Sequence, residues 1–319
     1  MSMIPWLVLL LRLFEGAMRP LANVVPPSGL TVSARSCEPC HAEVTAEWRQ
    51  SAHADAFDNS TFRASFRHEP QAWCVNCHAP LPEQAAGQFR EEGVGCAACH
   101  IRNGAILAAR PPTTAAQAAH PIVVEPRLSQ PEFCAGCHQF NWPITTEPVR
   151  YGPHPMQNTF AEFQASGSTE TCVDCHMRTG HRMPGGHDVE WVRGALEVSV
   201  EARRADHVRV RLRSRAVGHA MPTGDPFRRL VVQLCATQSC AQPLKEIFFG
   251  RRFDAKQNGK LVAETTIPAR GERQLDVTTP ERAAFWRVVF RYAAIGTDRE
   301  LDDDEREQEI THGIITGGK

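Results

Sequence analysis

Five times in this chain a pair of cysteines three residues apart is followed at once by a histidine. The five are Cys37–Cys40–His41, Cys74–Cys77–His78, Cys96–Cys99–His100, Cys134–Cys137–His138 and Cys172–Cys175–His176. Cys-x-x-Cys-His is the attachment pattern for a c-type haem. The two thiols bond to the porphyrin edge, and the adjacent imidazole reaches the iron from one side. The chain has 12 cysteines, so the motifs leave only Cys235 and Cys240 over. A disulfide scaffold pairs cysteines but gives no reason for a histidine after each pair. Structural zinc wants ligands in fours, which Cys-Cys-His triplets do not supply. The residues therefore predict five covalently attached haem c groups, with the ten motif cysteines as attachment points and the five motif histidines as proximal iron ligands.

Each iron then needs a sixth ligand or an open position. Outside the motifs stand His53, His68, His120, His154, His181, His187, His207, His219 and His312. His53 follows the first motif by twelve residues in "EWRQSAHADAF", where it can project toward a different haem. His120 precedes Pro121 in a loop that offers it no evident structural task. His181 and His187 sit in "HRMPGGHD", a glycine-rich turn that lets backbone approach a haem closely. His154 in "YGPHPMQNTF" and His219 in "GHAMPTGDPFR" complete the set of candidate distal ligands. His68 is weaker, His207 reads as an exposed strand residue, and His312 falls in the tail. Met156, Met177, Met183 and Met221 lie beside histidine candidates and read as flexible packing against porphyrin. No residue is assigned a catalytic role.

The elements that hold these groups divide the chain. Residues 33–190 show no sustained alternation, only short helical stretches between prolines and glycines, and predict a mostly helical and coil pentahaem domain. A helix begins in or just after the first motif and runs toward His53. Another is expected over 157–165, and "RPPTTAAQAAHP" at 110–121 reads as a loop. With motifs about 20 to 40 residues apart there is little polypeptide per cofactor, so the haems must lie close together.

From residue 191 the period becomes two. "ALEVSVEARRADHVRVRLRSR" reads as a hairpin, with Leu196, Val198 and Val200 facing Val208, Val210 and Leu212 on its inner side. A three-residue turn at Arg204–Asp206 would set Arg203 against His207, Glu201 against Arg209 and Glu197 against Arg213. That register leaves Arg211 and Arg215 without an acidic partner, and makes the arginine stripe a candidate docking patch for an acidic redox protein. Strands near 229–236, 244–251, 260–267, 272–278 and 285–294 extend the pattern to an all-β, sandwich-like domain over 191–297. Cys235 and Cys240 would close a short disulfide loop, and the acidic run at 298–319 reads as a solvated tail.

Net charge is −1, so nothing in the whole-chain balance points to nucleic acid. Residues 1–32 contain the apolar run "IPWLVLLL", too short to span a bilayer, and read as an atypical signal or a membrane-associating segment. Bacterial haem c is attached outside the cytoplasmic membrane. A periplasmic or other extracytoplasmic location follows, with membrane association or cell-surface exposure as variants.

The segment "CEPCHAEVTAEWRQSAHADAF" resembles the opening of the cytochrome c-554-like multihaem family, whose members place Trp-x-x-Ser-x-His-Ala after the first motif; here these are Trp48, Ser51, His53 and Ala54. "EGVGCAACH" is similar to the Gly-Val-x-Cys form common there, and "CAGCHQF" and "CVDCHM" match its style. The resemblance covers about residues 36–190. It implies that His53 ligates a haem other than its neighbour, that His120 matches the histidine after the third motif, and that His187 or His181 matches the one after the last. "GHAMPTGDPFR" resembles an element of larger multihaem cytochromes with an appended β-domain, in which the histidine can ligate a haem and pin the β-domain in place. Small family members have four haems and no such domain, so their partners do not transfer.

Electron transfer through five closely spaced, mainly bis-histidine haems is the leading reading, with redox proteins as partners. The alternatives are an oxidoreductase of small nitrogen or sulfur compounds with one open haem, and a subunit that polymerises or sits in a membrane respiratory complex. The lysine-ended motif of pentahaem nitrite reductases is absent. Arg178 and Arg182 beside the fifth motif would serve either haem propionates or an anionic substrate.

Overall fold

The structure is a computed structural model, and it describes residues 21–112, 120–146, 149–254, 259–292 and 307–317. The apolar N-terminal run, most of the 110–121 loop and the stretch 298–306 lie outside the described residues. Two compact units form. The first takes the chain to Phe140, then Thr145–Arg150 and Thr169–Pro184. The second takes Asn141–Ile144, Tyr151–Ser168 and everything from Gly185.

The helices are short: α1 Ala42–Trp48, α2 Ser60–His68, α3 Ala72–His78, α4 Pro82–Ala85, α5 Cys96–His100, α6 Pro131–His138, α7 Thr159–Ser166, α8 Cys172–His176 and α9 Val189–Ala195. The helix expected to run toward His53 stops at Trp48, because the Ser51 hydroxyl donates to the Trp48 carbonyl at 2.6 Å and closes the chain into turns. The 157–165 helix appears as α7.

The mostly helical expectation for the first half needs correction. Helix accounts for 26% and strand for 34% of the structure, and part of that strand lies before residue 160. Strands β1 Ile101–Arg102, β2 Ala105–Ala108 and β3 Ile122–Val124 make a three-stranded sheet, with β2 and β3 parallel. Strands β4 Gln139–Thr146 and β5 Val149–Asn158 make a hairpin. Neither shows period-two hydrophobicity, since prolines at 143, 153 and 155 and glycine at 152 interrupt them.

Among the described residues of the first unit, one small cluster of buried apolar side chains joins Val24, Val32, Leu81, Ala97, Ala98 and Ile101. The second unit has a conventional core. A three-stranded sheet, ordered β12–β7–β6, and a four-stranded sheet, ordered β14–β13–β8–β9, contribute to one cluster that includes Val200, Val210, Leu212, Leu230, Val232, Phe249, Val288 and Ile310. The strands are β6 Leu196–Arg204, β7 His207–Ser214, β8 Arg228–Cys235, β9 Lys245–Phe249, β12 Glu272–Thr278, β13 Phe285–Tyr292 and β14 Glu307–Ile314. A separate ribbon pairs β10 Arg251–Asp254 with β11 Lys260–Glu264. Two sheets sharing one apolar interior are sandwich-like.

The hairpin register holds at Glu197↔Arg213 and Glu201↔Arg209, but Arg204 rather than Arg203 opposes His207. A bulge at Arg203 absorbs the extra residue and leaves a tighter turn. Arg215 does have an acidic partner, Glu197 at 3.2 Å, two residues off the register, while Arg209 pairs with Asp276 on β12 at 2.9 Å. Two arginines of the stripe thus have acidic partners, while Arg211 donates to the neutral Gln274 at 3.1 Å. The tail also differs from expectation: Glu307–Ile314 is strand β14 and carries His312, because Ile310 supplies a core side chain from within the acidic stretch.

Cys235 and Cys240 are joined as a disulfide, and both are buried. The loop it closes is short, so its removal in Cys235→Ser/Cys240→Ser should cost about 2 kcal/mol of stability. A thermal melt unchanged from the parent would refute that.

Candidate functional site

Each motif folds as a single helical turn, which is what gathers its reactive groups. Helices α3, α5, α6 and α8 each end on a motif histidine. The first motif makes the same turn in shorter form, with the His41 N–H donating to the Cys37 carbonyl at 3.0 Å. Residues i, i+3 and i+4 of such a turn share one face, so both thiols and the imidazole lie on the same side.

Three of the motif histidine rings are fixed in one tautomer. Nδ1 of His78, His100 and His176 lies 2.5, 2.8 and 2.7 Å from the carbonyls of Ala56, Leu107 and Pro184. A carbonyl only accepts, so Nδ1 holds the proton and Nε2 keeps the lone pair that binds a metal. Backbone carbonyls are common partners of metal-binding histidines for this reason. The Phe62 ring also stacks on His78 at 3.8 Å and sets its plane.

Three of the distal candidates meet motif histidines. Ring centroids are 6.3 Å apart for His41 and His120, 6.2 Å for His53 and His138, and 6.1 Å for His100 and His181. Two imidazoles on opposite sides of one metal, each bonded at roughly 2 Å with its centre about 1 Å further back, would sit roughly 6 Å apart. Every one of these pairs joins a motif histidine to a non-motif one. In no case is the partner the nearest histidine along the chain. His120 is brought in by the sheet: the Ile106 N–H donates to the Pro121 carbonyl at 2.9 Å, and β3 then runs parallel to β2. Its buried Nδ1 has no hydrogen-bond partner among the described residues.

His181 is held by Glu47, whose carboxylate accepts its backbone N–H at 2.8 Å. Burial, and then the His100 ring, lower the His181 pKa against the opposing pull of Glu47. The ring is therefore neutral, the form that ligates a metal. Removing this acceptor in Glu47→Ala should destabilise the fold by about 1–3 kcal/mol and disturb the spectrum of a single haem. A melt and an absorption spectrum both matching the parent would exclude that role.

His154, His187 and His219 belong to the second unit. Nδ1 of His219 faces the Ala220 carbonyl at 2.8 Å, the same tautomer as His78, His100 and His176. Of the methionines, Met156 and Met221 are buried, as packing residues should be. Arg178 donates to the Asp174 carbonyl at 3.1 Å and to Glu170 at 3.3 Å, which gives it a local task on the surface.

The motif cysteines also meet across motifs. Each of three thiols shifts the pKa of a thiol in another motif, Cys37 with Cys96, Cys77 with Cys137, and Cys134 with Cys172. Motif one therefore adjoins three, two adjoins four, and four adjoins five. Burial pushes the Cys74 and Cys99 thiols up to about 11, with Arg102 opposing it at Cys99, so both stay protonated. Arg102 itself donates to the carbonyls of Ala97, Ala98 and Ile101 and closes the end of α5.

These residues fit haem c. Thiols and imidazole share a face, the proximal tautomer exposes Nε2, and second histidines stand at a metal's width. Several supporting residues were not picked out from sequence: Glu47, Phe62, Gln84, Glu92 and Gly93. Only the "EGVG" run before the third motif carried a signal for any of them.

Residues 36–101 match the family described as cytochrome c554 and c-prime. The matched stretch contains the first three motifs and His53. No curated protein matches the chain.

Proposed function

We propose, from the cytochrome c554-like character of residues 36–101, that this chain is an electron carrier holding five covalently attached haem c groups. The observation that carries the proposal is the helical turn at all five motifs within one unit, which puts two thiols and an imidazole on one face each time. When bound, haem c supplies a one-electron iron couple. The protein's part is to hold and tune. Ten cysteines tether the groups, and five motif histidines, with Nδ1 tied to carbonyls at His78, His100 and His176, offer Nε2 to the iron.

His120, His53 and His181 complete three bis-histidine sites with His41, His138 and His100. Such sites are closed to substrate, which favours transfer over catalysis. The small size of the apolar cluster among the first unit's described residues agrees, since porphyrins would add buried apolar surface. Attachment chemistry places the chain outside the cytoplasmic membrane, where redox proteins would be its partners. Among the described residues no helix is long and apolar enough to cross a membrane.

Haem content tests the count. A pyridine haemochrome assay on the mature protein should return five haems per chain, and fewer would overturn the pentahaem reading.

A further inference from the structure

We propose that Gly93 is a positioning residue for His53, and through it for the haem attached at the fourth motif. The inference rests on the His53–His138 pairing proposed above. Gly93 has φ +54° and ψ −128°, a conformation open to glycine and strained for other residues. A methyl group added there would collide with the His53 carbonyl oxygen, and would lie 2.7 Å from the Ala54 carbonyl oxygen and 3.0 Å from the Ala56 nitrogen. All three are backbone atoms, so no side chain can swing aside.

The strand of chain around Gly93 has no freedom to retreat. On one side the Glu92 carboxylate accepts the Ser33 hydroxyl at 2.5 Å and the Ala34 N–H at 2.8 Å. The Gly93 carbonyl accepts from Gln84 at 2.8 Å. On the other side the Val94 N–H donates to the His53 carbonyl at 2.8 Å, and the Val94 carbonyl accepts the Trp48 indole N–H at 2.9 Å. Glu92 and Gln84 are both buried, so these bonds cannot be exchanged for water without cost. An added methyl must therefore displace the backbone of His53. The His53 ring faces His138 across a 6.2 Å centroid gap, and that gap closes a metal bond only if the backbone stays in place. The loop before the third motif thus governs the sixth ligand of a haem attached about forty residues further on.

The experiment compares Gly93→Ala, His53→Ala and Gly87→Ala in the full-length, haem-loaded protein. Gly87 also has a positive φ, +97°, but a methyl there meets nothing within 4 Å. It reports the cost of backbone strain alone. Gly93→Ala is expected to keep all covalent haem, to convert one haem per chain from low to high spin, and to bind one carbon monoxide per chain in excess of the parent when reduced. Combining it with His53→Ala should give no second high-spin haem. Gly87→Ala should stay spectrally like the parent. A low-spin spectrum unchanged in Gly93→Ala overturns the proposal, as does an equal effect from Gly87→Ala. If His53→Ala itself produces no high-spin haem, the His53–His138 pairing fails first. Should Gly93→Ala not mature, Trp48→Phe is read instead, because it frees the Val94 carbonyl. A raised high-spin share supports the proposal and an unchanged spectrum overturns it.

Discussion

Replacing His120 with alanine should turn one low-spin haem per chain into a high-spin, carbon monoxide-binding one, while leaving the covalent haem count intact. On the proposed pairing the two roles separate, because Cys37 and Cys40 would attach the haem at the first motif and His120, nearly eighty residues away, would supply the sixth ligand. The ring stands 6.3 Å from His41 by centroids. It is held there by backbone, through the Pro121 carbonyl and the pairing of β3 with β2, rather than by contacts of its own. Alanine would keep that backbone and remove only the ligand. Added imidazole should then restore the low-spin spectrum, because the vacated volume matches the lost ring. A protein that stays wholly low-spin after His120→Ala would remove His120 from the ligand set. His181→Ala should behave alike at the third motif, with Glu47 left without its N–H contact only if the local chain also shifts.

How much of this was legible beforehand follows from the range over which each signal acts. The motifs are local, and each needs only a helical turn, so the grouping of two cysteines and a histidine on one face could be read directly. The hairpin was legible for the same reason: alternation over β6 and β7 fixed which residues share a face, and a bulge at Arg203 moved only the turn. Strand β14 was missed because its acidic neighbours mask a single buried position, Ile310. The β4–β5 hairpin was missed because its prolines and glycine erase the period. Context picks out candidate histidines but not the rings they face, since His41 with His120 and His53 with His138 are set by chain paths far longer than any motif. The buried carboxylate Glu92 and the glycine beside it gain their meaning only from Ser33 and His53, which sequence separation hides.

The other large effect concerns the fourth motif. Its cysteines interact electrostatically with two other motifs, Cys137 with Cys77 and Cys134 with Cys172, while among the described residues the first motif's Cys37 does so with the third motif's Cys96. Cys99 of the third motif also interacts electrostatically with both Cys134 and Cys137. The fourth position is therefore a junction, and the first is an end. Electron transfer falls steeply with separation, so losing a junction should isolate centres that losing an end leaves connected. Cys134→Ser/Cys137→Ser and Cys37→Ser/Cys40→Ser should each lower the mass by one haem. Only the first should sharply slow the spread of electrons after mixing with less reductant than there are haems, followed by stopped-flow absorbance. Serine is close in size to cysteine, so the helical turn at each motif is kept and the comparison isolates the cofactor. Equal rates in the two variants would show that the fifth haem exchanges electrons by some route other than the fourth, and would dissolve the junction.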